Sequence, residues 1–231
     1  MALRRLLGCS LLGLLATTAQ AAGQTVACPP RGTPVVEVAV RDRVPRILAP
    51  APAHALRAEA GGAPDGPFPH HLGLTVSSVE SRSEITVRTQ GPPTGPACAV
   101  PTAVRLTLVQ TEHSIRLARE VPPNGCLARE VVAHERRHAE VNRRTLREAV
   151  ADLRRTARSW AARAEKQAPD SGRAAIALQD ELADAIEPVL NRLRTTQATA
   201  HATIDSAAEY RRLSRLCPQD QQRLRTALRG R

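Results

Sequence analysis

His134-Glu135-Arg136-Arg137-His138 is the one stretch of this 231-residue chain whose residue types and spacing can do chemistry by themselves. Two histidines four apart share a face of a helix, so both imidazoles can reach one metal ion. Glu135 stands one step round the helix, placed to take a proton from a water held by that ion. Two imidazole ligands, a carboxylate base and an open coordination position are the parts of a zinc-dependent hydrolase. A reading without metal uses the same residues. Glu130, Arg137, Glu140 and Arg144 can pair along a solvated helix surface, leaving His134 and His138 as surface or hairpin-contact residues.

A third ligand has to come from another element. Glu148, Asp152 and Glu165 lie further along the same helix; at about 1.5 Å per residue, Glu148 is already about 15 Å from His138 and Asp152 about 21 Å. From Cys126 to about Gln167 there is no Pro or Gly, and Pro169 to Gly172 then breaks the chain. A second helical stretch runs from about Arg173 to Leu216, with a kink expected at Pro188. Its apolar residues Leu178, Leu182, Ile186, Val189, Leu193 and Ile204 recur mostly at spacings of three and four, as on an amphipathic helix. An antiparallel hairpin turning near 169–170 sets His138 opposite His201 and His134 opposite Asp205. His201 is thus the expected third ligand, with Asp205 or Glu209 as alternatives. His54, His70, His71 and His113 fall in loops or strand turns and are assigned no role.

The elements that must carry this pair divide the chain. Residues 33–40, 72–79, 84–89 and 104–109 alternate apolar and polar residues or are rich in β-branched ones, and read as strands. Residues 115–117 are expected to return antiparallel after a turn near 111–114. A Pro-, Ala- and Gly-rich stretch at about 49–71 reads as a loop. The expected fold is α+β: a small antiparallel β region over 22–120, then a long antiparallel helical hairpin over 121–217, then a basic tail over 218–231.

The amino-terminal end predicts export. Arg4 and Arg5 precede an apolar run of about eleven residues, too short for the roughly 20 that span a bilayer. Ala19-Gln20-Ala21 follows as a cleavage pattern, making residues 1–21 a signal peptide. Leu6-Leu7-Gly8-Cys9 has the look of an acylation site, but it follows the arginines directly with almost no apolar core before it. Cleavage would leave no membrane-spanning segment and place the protein in the periplasm or outside the cell. Cys28, Cys98, Cys126 and Cys217 would remain, an even number suited to disulfides in an oxidising compartment. Of three pairings, Cys28–Cys98 and Cys126–Cys217 each bracket one compositional region. Unpaired buried thiols are the alternative.

The formal charge of +11 rests almost wholly on arginine. With Phe68, Trp160 and Tyr210 as its aromatics and acids interspersed among its arginines, the chain lacks the stacking platforms of a nucleic-acid binder. There is no G-x-S-x-G and no Gly-rich phosphate loop.

Residues 133–141, which follow strands and a turn cysteine, resemble the bacterial secreted proteins classed as domain of unknown function 922, which are predicted zinc-dependent proteases. Glu140 and Val141 fit that pattern, while Arg136 replaces a Gln and Ala139 an aromatic residue. The resemblance covers about 100–217 and implies His134 and His138 as metal ligands and Glu135 as base. A later histidine-bearing segment of the family is loosely matched by residues 201–210. The function expected is an exported zinc-dependent hydrolase, a peptidase acting on peptides or envelope proteins. The rivals are a non-catalytic envelope protein that binds a partner through its hairpin, and a metal-binding protein without hydrolysis.

Overall fold

The computed structural model describes residues 25–61 and 71–229. The expected signal peptide, Cys9 and His70 lie outside the described residues. Five strands form one sheet: β1 (Val35–Arg41), β2 (Arg46–Ile47), β3 (Gly73–Gln90), β4 (Ala97–Leu117) and β5 (Lys166–Ala168). The helices are α1 (Ala53–Glu59), α2 (Cys126–Ala161), α3 (Ser171–Ile204), α4 (Ala207–Arg215) and α5 (Pro218–Arg229).

The fold is mixed α and β as expected, but the sheet is not purely antiparallel. β3 and β4 form a long antiparallel ribbon in which Gly73 pairs Leu117 and Gln90 pairs Cys98. β1 and β2 join the other edge of β4 in parallel, and β5 extends that edge antiparallel. Only the hairpin is encoded by neighbouring strands. β1 and β4 are not consecutive, with β2, α1 and β3 between them in sequence, and they pair in parallel.

The ribbon also corrects the turn expected near 111–114. β4 runs straight through it, and Thr111 is the extra residue of a bulge between the pairs Ser78–Glu112 and Val79–Gln110. A bulge absorbs one residue and changes which face the following side chains take. It hides the continuity of the strand from an alternation pattern. Likewise the two strands expected at 72–79 and 84–89 are one, β3. Pro101 is tolerated inside β4 because it falls between the stretches paired to β5 and β1 and beside a second bulge.

One face of the sheet is covered by helices. Val104, Leu106 and Leu108 of β4 point at Leu146, Ala149, Leu153 and Ala157 of α2 and at Leu182, Ile186 and Val189 of α3. These side chains alternate on β4 and recur at helical spacing on α2 and α3, so burial follows the two periods. The apolar stripe expected on the second helix is buried at Leu178, Leu182, Ile186, Val189 and Leu193, while Ile204 at its end is only partly covered. α3 runs unbroken through Pro188. Pro188 and Asp184 both face solvent, so the carbonyl left without its helical N–H can bond water. On the opposite face, Arg105 lies between Glu37 and Glu84 across three strands.

Four segments differ from expectation. The second helical stretch expected over 173–216 ends at Ile204, and Asp205 and Ser206 separate α3 from α4. The loop expected over 49–71 contains α1, whose Ala53 and Leu56 are buried. The link between the long helices is not a plain turn, because β5 lies in it and Asp170 caps α3 by accepting from Arg173 N at 2.8 Å. The residues expected as a basic tail fold as α5, which sets Leu224 in a second apolar cluster with Leu127, Val131 and Val121.

Two disulfides join Cys28 to Cys98 and Cys126 to Cys217. The second fastens the start of α2 to the junction of α4 and α5. No helix among the described residues is long and apolar enough to cross a membrane.

Candidate metal centre

α2 presents His134, Glu135 and His138 on the side turned into the protein; they are 5%, 6% and 8% exposed. Arg136 and Arg137, between the histidines, face solvent. The solvated-surface reading therefore does not describe this face, since His134, Glu135 and His138 are buried. Helical geometry explains the split: positions 134, 135 and 138 share one side of the turn, and 136 and 137 the other.

The hairpin register brings the expected partners across. His134 Nε2 is 3.1 Å from Asp205 Oδ1, His138 Nε2 is 3.2 Å from the same oxygen, and the two Nε2 atoms are 3.2 Å apart. In a tetrahedral zinc site with bonds of roughly 2.0–2.1 Å, any two ligand atoms are about 3.3–3.4 Å apart. The three donor atoms thus mark one triangular face of such a site. Three lone-pair atoms this close repel one another unless a cation or shared protons lie between them. His134, His138 and Asp205 can accordingly hold a metal ion. Asp205 is held by the fold as the C-cap residue of α3, where the chain leaves the helix, and it also accepts from the Tyr210 hydroxyl at 3.0 Å.

His201 stands behind this triangle rather than in it. Its Nδ1 lies 2.9 Å from His138 Nδ1, the nitrogen turned away from Asp205, and its Nε2 lies 3.0 Å from Asn142 Oδ1. Asp205 therefore supplies the third atom of the candidate triangle, and the expected His201 contacts His138 from behind it. The pattern of acceptors assigns the protons. Asn142 Oδ1 takes the His201 Nε2 proton, and His201 Nδ1 takes the His138 Nδ1 proton. His138 Nε2 is left with a bare lone pair facing the site.

Glu209, the other alternative ligand, has a different task. It pairs with Arg137 and with Arg212, whose Nε is 2.8 Å from Glu209 Oε2, and its Oε1 is 3.5 Å from His134 Nδ1. Those guanidinium bonds, Arg212 first, hold its carboxyl down to about 2. His134 Nδ1 also lies 3.0 Å from Arg137 Nη2. Arg137 can only donate and so favours a lone pair on Nδ1. Glu209 at 3.5 Å is the acceptor for a proton on Nδ1, the tautomer that would leave Nε2 bare for a metal. Metal-bound imidazoles are commonly oriented through such carboxylates.

Glu135 sits between α2 and β3. Its Oε2 accepts from Thr75 Oγ1 at 2.7 Å. Gly73 makes this approach possible, because a Cβ there would fall 2.6 Å from Glu135 Oε1 and 2.8 Å from Val131 Cγ1. Burial raises the Glu135 carboxyl above its usual range, with Thr75 and both motif histidines acting against it. Burial also pushes Asp205 up, but the facing His134 and His138 rings and the Tyr210 hydroxyl outweigh that and leave it well below the usual carboxylate range. Burial lowers His201, and the neighbouring His138 lowers it further. All these groups line one cavity of about 460 Å³.

Four participants were not assigned from sequence. Asn142 follows His138 by four and shares its helix face, a signal present in the spacing. Tyr210 is the chain's single tyrosine and lies near Asp205 in sequence. Gly73 and Thr75 gave no local sign, since their role exists only where β3 meets α2.

No family model, curated protein or solved structure matches this chain.

Proposed function

We propose that this protein is an exported zinc-dependent hydrolase of peptide bonds. The observation that carries the reading is the triangle of His134 Nε2, His138 Nε2 and Asp205 Oδ1 beside a buried glutamate in one cavity. Two imidazoles and one carboxylate are a donor set suited to zinc, and three protein ligands leave a position open. A zinc ion bound there would supply a Lewis acid and an acidified water.

The chain's own residues do the rest. His201 and Asn142 orient His138, and Glu209 orients His134. Glu135, aimed by Thr75, accepts the proton of the attacking water and passes it to the leaving amine. β3 pairs on one side only among the described residues, so its free edge at Gly73–Thr75 is open to the main chain of a peptide beside Glu135. The likeness of residues 133–141 to the secreted domain of unknown function 922 proteins supports the same reading. Two disulfides suit an oxidising compartment, which supports export to the periplasm or beyond.

Metal analysis and a proteolysis assay test this. The purified protein should carry one zinc per chain, lost in the His134→Ala, His138→Ala double variant. Glu135→Gln should keep zinc and fold while losing turnover of a denatured-protein or envelope-peptide mixture by roughly 10²–10⁴. Zinc without any hydrolysis returns the metal-binding reading. Absence of zinc after loading and desalting rejects both.

A further inference from the structure

The cavity that holds the candidate metal centre is larger than the centre needs, and most of its remaining wall is apolar, with His71, Ser214 and Gln221 as polar members. Leu72 and Leu74 precede and enter β3, Val131 comes from α2, Leu213 from α4, and Leu224 and Leu228 from α5. Its volume of about 460 Å³ lies within the range of roughly 300–1,000 Å³ typical of ligand pockets. α5 adds one charged group to this wall, Arg225. Arg212 pairs with Glu130 and Glu209, and Arg223 with Asp220, while Arg211, Arg215 and Arg229 of the same helices do not line the cavity. Arg225 is exposed and makes no ion pair among the described residues. The cavity's acids, Glu135 and Asp205, are both taken up by the metal centre. A leucine-lined space with an uncommitted guanidinium on its wall is complementary to an apolar group carrying a negative charge.

We infer that this cavity is the specificity pocket for a bulky apolar residue of a peptide, and that Arg225 binds a carboxylate of the same peptide. This rests on the hydrolase reading for its biological sense, but not for its test. The carboxylate has two possible sources, the free C-terminus or an acidic side chain beside the apolar residue.

Equilibrium binding separates these outcomes. The zinc-loaded Glu135→Gln protein, which should not consume the probe, is titrated by fluorescence polarisation with dansyl-Phe-Leu as free acid and as amide. The acid should bind about tenfold or more tightly, as expected for a charge-assisted hydrogen bond. Arg225→Gln should remove that preference, and dansyl-Gly-Gly acid should bind at least about tenfold more weakly than dansyl-Phe-Leu acid. An amidated dansyl-Phe-Leu-Asp probe that binds as tightly as the acid assigns the charge to a side chain; weaker binding assigns it to the C-terminus. Equal binding of acid and amide, or a preference that survives Arg225→Gln, overturns the inference. A wild type that cleaves peptides with unchanged kcat/KM in Arg225→Gln also overturns it, while leaving the hydrolase reading in place. An Arg225-dependent preference in a protein that hydrolyses nothing upholds the pocket and sinks the enzyme.

Discussion

Glu135 owes its position to a residue with no side chain. Gly73 lets β3 approach α2 closely enough for Thr75 to hold the carboxylate. In Gly73→Ala the new methyl must displace Glu135 and Val131, or push the strand from the helix. Overpacking of this kind costs about 1–3 kcal/mol. Gly73→Ala should therefore unfold at lower denaturant and lose turnover while still binding zinc, since the atoms a Cβ at residue 73 would meet first belong to Glu135 and Val131. Retention of full activity would show that Glu135 does not need its present setting. The pair formed by His201 and Asn142 shows the reverse case, in which a residue of ligand type sits one step behind the candidate triangle, against the far nitrogen of His138.

At the scale of elements, α2 carries the whole motif, and its start is secured from the far end of the chain. Leu127 N donates to Asp220 Oδ2 of α5 at 3.0 Å, so a carboxylate from another helix caps α2. Gly125, the N-cap residue, leaves the space, because a Cβ there would lie 2.4 Å from that oxygen. The Cys126–Cys217 bridge fastens the same corner. Losing an N-cap side chain costs about 0.5–2 kcal/mol. Asp220→Ala should lower stability by that amount in urea titrations, with zinc content unchanged. A larger loss, or loss of zinc, would mean that α5 helps to build the metal centre rather than merely to support it.

For the whole molecule, a metal at this site would join α2 to the end of α3 and so bind the folded chain alone. Zinc at a hundred times its dissociation constant should then stabilise by about 2.7 kcal/mol. Calorimetry should show the melting temperature rising with zinc and falling with a chelator, with neither effect in Asp205→Ala. The acid side of stability has a separate source. Burial raises the Asp42 carboxyl, but Arg147 and Arg143 outweigh it and hold it below 3.8. These bonds tie the residue after β1 to α2, with Arg143 Nε 3.2 Å from Asp42 Oδ2. Because the folded value is depressed, the contribution is full above 3.8 and lost as pH falls through the lower folded value. Asp42→Asn should be less stable than wild type at neutral pH and converge with it in strong acid. A constant difference across that range would assign the effect to packing.

The sequence by itself determined what local spacing can encode. An i, i+4 pair fixes two imidazoles on one helix face, and the apolar period marks the buried side of the second helix. A break at 169–172 sets a register in which His138 meets His201 and His134 meets Asp205. The bracketing of two regions by four cysteines favoured the pairing the structure has. Only the tertiary structure decided which of the residues brought opposite is a donor. Asp205 and His201 differ by a few ångströms in where the ring or carboxylate points, and helix periodicity carries no such detail. It also decided the parallel place of β1, the bulge at Thr111 and the approach at Gly73. Each depends on contacts between residues far apart in the chain, where no local propensity favours one outcome over another.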